Sequence, residues 1–215
     1  MEHRPPRLVQ SFTTACQAAG ARAAAVDVEA AAVDLLRRWA DPARGYHDVE
    51  HLEEVLDAVR RLAGRDLPTV VLAAWFHDAV YDGVPGEDER RSAELADEEL
   101  AALGVPADVC RRVADLVLVT AQHDPAEDDE EAAVLCDADL AVLAADRARY
   151  GRYVAGVRKE YRNLQPAVFA AGRADVLRRL LQRPAIYRTA VGRGLWEEAA
   201  RRNLKAELEQ LEGCG

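Results

Sequence analysis

Apolar positions along this chain recur mostly at helical spacing. From Tyr46 to Leu62, the residues Leu52, Val55, Leu56, Val59 and Leu62 step by three and four, the mark of one buried helical stripe, and Gly64 follows as a stop. The same reading predicts a short helix over 8–20 ending at Gly20, and one over 26–40 stopped by Asp41-Pro42. Val70 to Val80 is a nearly continuous apolar run. A buried strand competes there, but about eleven residues exceed a typical strand, so a buried helix is preferred. Further helices are expected over Asp88–Leu103, Pro106–Thr120 and Ala132–Ala144, and over 147–163, 165–182 and 194–212, with Asp124–Glu131 as an acidic loop. No pair of strands stands out. The expected fold is all-α: a 1–25 segment or short helix packed on the core, then one helical domain over 26–212.

Composition narrows the function classes. Of 215 residues, 28 are Lys or Arg and 38 are Asp or Glu, a net charge of −10 that opposes binding to nucleic-acid backbones and anionic membranes. A small phosphorylated substrate stays open, because a metal ion reverses the sign locally. Cys16, Cys110, Cys136 and Cys214 form no zinc-type spacing, so reduced thiols are expected. No apolar run reaches the roughly 20 residues of a membrane span. Met1 to Gln10 is polar with two prolines and does not read as a signal peptide. A soluble, cytoplasmic protein is expected, and a homo-oligomer stays open.

The candidate chemistry lies where polar residues interrupt apolar context. His77 and Asp78 close the run Ala73-Ala74-Trp75-Phe76, a costly placement unless both are satisfied. They fit either a capped helix end with a core histidine or a pair of ligands to one cation. His47 and His51 are four apart, which on a helix puts them on one face, near one metal or as exposed residues at a helix start. Asp137 and Asp139 sit in an otherwise apolar helix and diverge by about 200°, so only one of them can face a given site. His123 precedes the acidic loop.

In order, His51, His77-Asp78 and a late Asp resemble the H…HD…D signature of the HD superfamily of metal-dependent phosphohydrolases. Tyr46-His47-Asp48-Val49-Glu50-His51-Leu52, Ala74-Trp75-Phe76-His77-Asp78-Ala79-Val80-Tyr81-Asp82 and Cys136-Asp137-Ala138-Asp139-Leu140 look like a bacterial subgroup described as predicted metal-dependent HD superfamily phosphohydrolases. The likeness continues through Glu89-Arg90-Arg91-Ser92-Ala93, Thr120-Ala121-Gln122-His123, Val157-Arg158-Lys159-Glu160-Tyr161 and Ala200-Arg201-Arg202-Asn203-Leu204, and covers roughly residues 30–210. One departure is Asp88-Glu89, where compared members carry Asn-Glu; it removes the basis for an amide-specific contact at position 88.

The resemblance implies a helical HD-domain fold and metal ligands His51, His77, Asp78 and a late Asp. Asp139 follows an alanine, as the late Asp of relatives does, and is preferred over Asp137, which is expected to orient an imidazole instead. One divalent transition metal suits this donor set: Mn, Fe, Co, Ni or Zn, with Mg possible. The expected activity is hydrolysis of a small phosphoester, a nucleotide or related phosphometabolite. His47, His123 and Asp82 are the candidate catalytic residues, Asp82 reading equally as a helix-end cap, and Arg158 is a candidate phosphate clamp for which a structural ion pair is the preferred reading. Two alternatives belong to other classes: a di-iron oxygenase of HD type, and a non-catalytic nucleotide-binding module.

Overall fold

A computed structural model describes residues 4–65, 67–84 and 86–213, and His3 and Cys214 lie outside them. Ten α-helices follow in order among the described residues: α1 (Arg4–Ala18), α2 (Ala25–Trp39), α3 (Val49–Ala63), α4 (Pro68–Phe76), α5 (Glu87–Ala102), α6 (Ala107–Val119), α7 (Glu130–Asp139), α8 (Arg147–Glu160), α9 (Pro166–Gln182) and α10 (Ala190–Gly213). A 3-10 turn, Leu140–Ala144, continues α7. No strand forms among the described residues, so the all-α class expected from periodicity holds.

Several boundaries differ from the reading of the sequence, and two of them, near the site, have a local reason. The third helix begins at Val49 rather than near Tyr46, because the Asp48 carboxylate accepts the backbone N–H groups of Glu50 (2.9 Å) and His51 (3.3 Å) and so caps the first turn. The Val70–Val80 run is helical, as preferred, but α4 stops at Phe76, and His77 to Val80 form turns. Those turns are held from outside the helix: Ser92 Oγ accepts the Val80 N–H at 3.0 Å.

Apolar side chains gather into two clusters. The larger is built from α1 to α7, with Phe12, Trp39, Trp75 and Phe76 fully buried in it. Helix α1 belongs to this core: Phe12 packs edge-on against Trp75 at 5.2 Å, and Trp75 Nε1 donates to Ser11 Oγ. The smaller cluster joins the 3-10 turn, α8, α9 and α10 around Leu177, Tyr187 and Leu204. Trp196 packs against both clusters. Cys16, Cys110 and Cys136 are buried free thiols, and burial raises the Cys16 pKa to about 12. No helix among the described residues is long and apolar enough to cross a membrane.

Candidate metal centre

Four predicted donors converge. His51 comes from the first turn of α3, His77 and Asp78 from the turn that ends α4, and Asp139 from the last position of α7. His51 Nε2 lies 3.2 Å from His77 Nε2 and 3.1 Å from Asp139 Oδ1, and His77 Nε2 lies 3.5 Å from Asp139 Oδ1. Asp78 Oδ2 stands 3.1 Å from His77 Nε2 and 3.6 Å from His51 Nε2. The tightest group is His51, His77 and Asp139, whose ligand atoms all lie within 4.8 Å of one another, and Asp78 joins it through the two imidazoles. Both imidazoles are buried, and both carboxylates are 15% exposed.

The donor chemistry fits a metal ion. His77 Nδ1 donates to the Ala74 carbonyl at 2.9 Å, which leaves Nε2 as the nitrogen turned to the site. The two Nε2 atoms face each other beside two carboxylates, and as neutral imidazoles with Nε2 unprotonated both would offer lone pairs that a shared cation satisfies. A metal about 2.1 Å from each donor separates neighbouring ligands by about 3.0 Å in octahedral and about 3.4 Å in tetrahedral geometry. The observed edges of 3.1, 3.2 and 3.5 Å span that range. Burial works against ionised Asp78 and Asp139, yet the imidazoles outweigh it and hold both carboxyls well below the usual carboxylate range. Burial likewise opposes charge on His51 and His77, and the two carboxylates overcome it and raise both pKa values.

His47 is placed differently from the expectation of a shared helix face. It precedes the Asp48 cap, outside α3. Its Nδ1 donates to Glu160 Oε2 at 2.8 Å, and its ring stacks on Tyr81 at 4.2 Å. Glu160 Oε1 also accepts the backbone N–H groups of Gly45, Tyr46 and His47 at 2.8, 2.8 and 3.0 Å, and the Tyr81 hydroxyl donates to Oε2. Burial would raise the Glu160 pKa, but the bonds from His47 and the backbone prevail and bring it to about 2. The approach depends on two glycines. A Cβ on Gly45 would stand 2.2 Å from the Gly156 carbonyl oxygen, and one on Gly156 would stand 2.5 Å from that of Gly45.

Arg44 braces the same corner. Its buried guanidinium donates to the carbonyls of His47 (2.7 Å), Asp78 (2.8 Å) and Ala79 (3.3 Å) and lies over Trp39 and Tyr81. Burial lowers its pKa against the pull of Asp78 and its acidic neighbours. His123, with φ at 48°, puts Nε2 2.6 Å from Asp139 Oδ2, and so holds the second oxygen of the carboxylate that faces His51.

Three expected roles are not what the structure brings together. Asp137 touches no imidazole; its buried carboxylate accepts the N–H groups of Arg188 (2.7 Å) and Thr189 (2.8 Å) and the Thr189 hydroxyl (2.7 Å), which fixes the chain entering α10. Residues two apart on α7 diverge, so Asp139 takes the site and Asp137 the opposite task. Asp82 is exposed and pairs with Arg91, away from the donors. Arg158 donates to the carbonyls of Tyr161 and Leu164 beyond the end of α8 and lies over Phe169, so it is a cap on that helix. The acid at position 88 has a structural task too: Asp88 Oδ2 accepts the N–H groups of Asp82, Gly83 and Val84 at 2.7–3.0 Å.

A cavity of about 620 Å³ opens beside the donors, and Asp78, Asp139, His47, His123 and Tyr46 line its inner end. The Tyr46 hydroxyl is buried and has no hydrogen-bond partner. Compared with protein-family models, curated proteins and solved structures, the chain matches none of them.

Proposed function

We propose that this protein is a metal-dependent hydrolase of small phosphoesters, of the HD type that the motif order resembles. The observation that carries the reading is the buried convergence of His51, His77 and Asp139, with Asp78 beside them, at the inner end of a large cavity. A divalent ion held there supplies Lewis-acid activation of a phosphoryl group and of water.

The protein's own residues account for the rest. His47 is oriented by Glu160 as a catalytic histidine is by its carboxylate: Nδ1 is engaged, and Nε2 is left to exchange a proton with the substrate or the leaving oxygen. Tyr81 and Arg44 keep that ring and the neighbouring backbone in place. His123 fixes the orientation of Asp139. The rings of Trp39 and Tyr46 pack against the imidazoles, which are buried.

The test is metal analysis of purified protein, followed by phosphate release from a phosphoester panel that includes nucleotides. His77→Ala and Asp139→Ala are expected to lose both metal and activity. His47→Ala is expected to keep its metal and to lose about 10²–10⁴ in kcat. Full activity with normal metal content in His77→Ala would refute the assignment.

A further inference from the structure

The outer part of the cavity has a chemistry of its own. Its wall is made by the 3-10 turn, α8 and α9, with Leu143, Tyr153, Val157, Phe169, Val176 and Leu180 as the side chains that matter. Three arginines line it, but two are engaged. Arg173 forms a two-pronged pair with buried Glu207 at 2.8 and 3.0 Å, and Arg183 donates to the carbonyls of Gln122 and His123. Among the described residues Arg179, exposed on α9, is the cation left, and no lysine lines the wall. The acids there, apart from the donors Asp78 and Asp139 at the inner end, are Asp88 and Glu89. A second or third phosphate would therefore meet more carboxylates than free cations. For sugar hydroxyls the Thr120 hydroxyl is already given to the Val117 carbonyl, which leaves the Gln122 amide and the buried Tyr46 hydroxyl as the neutral polar groups.

Space is kept open on the same wall. Gly172 lies inside α9, where glycine weakens a helix, and a Cβ added to it meets nothing within 4 Å. The volume is that of pockets holding a drug-sized ligand, about 300–1,000 Å³. A polar group of three or six carbons would leave most of this apolar wall in water.

We infer that the cavity takes a phosphomonoester bearing one phosphate on a bulky apolar group, an aromatic or long-chain alkyl alcohol being the leaving half. This rests on the phosphohydrolase reading. In the reaction the oxygen of water bonds to phosphorus, the ester P–O bond breaks, and the alcohol departs with a proton to leave inorganic phosphate.

The experiment has two arms. In the first, kcat/KM is measured for ethyl, butyl, octyl and 2-naphthyl phosphate, glucose 6-phosphate, and adenosine mono-, di- and triphosphate. Octyl phosphate is expected to exceed ethyl phosphate by about 100-fold or more, because each buried methylene contributes a few-fold. A ranking led by the sugar phosphate or by any of the adenosine nucleotides overturns the inference. In the second arm, calorimetry measures binding of ethyl-, butyl- and octylphosphonate, which are not hydrolysed. Affinity is expected to climb with chain length, and the octyl-to-ethyl ratio is expected to fall at least about tenfold in Gly172→Leu and in Val176→Glu. Affinity independent of chain length overturns the inference even if the protein is a phosphohydrolase. Chain-length-dependent binding with no turnover of any ester overturns the phosphohydrolase reading and supports the cavity's preference.

Discussion

Glu160 accepts five hydrogen bonds beside the site, and its effect on stability is measurable. Its pKa is depressed from 4.5 to about 2, so the stabilisation it gives is complete above the ordinary value and drains away as pH falls through that interval. Glu160→Gln is expected to lose up to about 3 kcal/mol at neutral pH and to show a flatter loss of stability below pH 4.5, measured by denaturant titration at several pH values. Tyr46 carries the opposite expectation. Its hydroxyl is buried without a partner, so Tyr46→Phe should raise the stability of the metal-free protein by about 1 kcal/mol; a loss instead would show that the hydroxyl is satisfied in solution. Of the proposed donors, His77-Asp78 and the Asp137/Asp139 pair stood out in the sequence because they interrupt apolar context, whereas His51 and the choice of Asp139 over Asp137 rested on the resemblance in motif order. Glu160 and Arg44 did not stand out, since their partners at 45–47 and 78–79 are distant in sequence and are mostly backbone groups. Asp82 and Arg158 looked available for chemistry because nothing in their neighbourhood announces Arg91 or the carbonyls that engage them.

At the level of elements, periodicity read the helices well and their ends less well. The stripe from Leu52 to Leu62 located α3, but the apolar Tyr46 belongs to the smaller cluster and drew the predicted start too early; the Asp48 cap is what sets it. That shift takes His47 off the helix and gives it to Glu160, which alters its chemistry more than its position. The glycines at 45 and 156 show how one contact between elements governs this. Either Gly→Ala change should cost about 1–3 kcal/mol through overpacking, and should lower activity more than metal content, because α8 carries Glu160 while none of the four donors lies on it. Gly172→Ala should act in the other direction, with a gain of about 0.5–1 kcal/mol from helix propensity, read as a higher Tm.

For the molecule as a whole, the donor set ties together three helices of the larger cluster, and the cavity wall belongs mostly to the smaller one. A divalent ion that binds only the native state should stabilise both together: at 100 times its Kd the gain is about 2.7 kcal/mol, and a chelator should lower a single cooperative transition rather than split it. Helix α7 extends this coupling to the far end of the chain. Asp139 faces the proposed metal centre, while Asp137, two residues earlier, is held by Arg188 and Thr189, and Asn203 on α10 holds the carbonyls of Leu143 and Ala145 in the turn just beyond. A nascent chain meets these partners late. Every proposed ligand has left the ribosome while Asp137 still lacks the groups that pair with it, so the centre should acquire its metal only once residues 188 and 189 have emerged, and a chain stalled before residue 188 should emerge with all four ligands and little affinity for the ion.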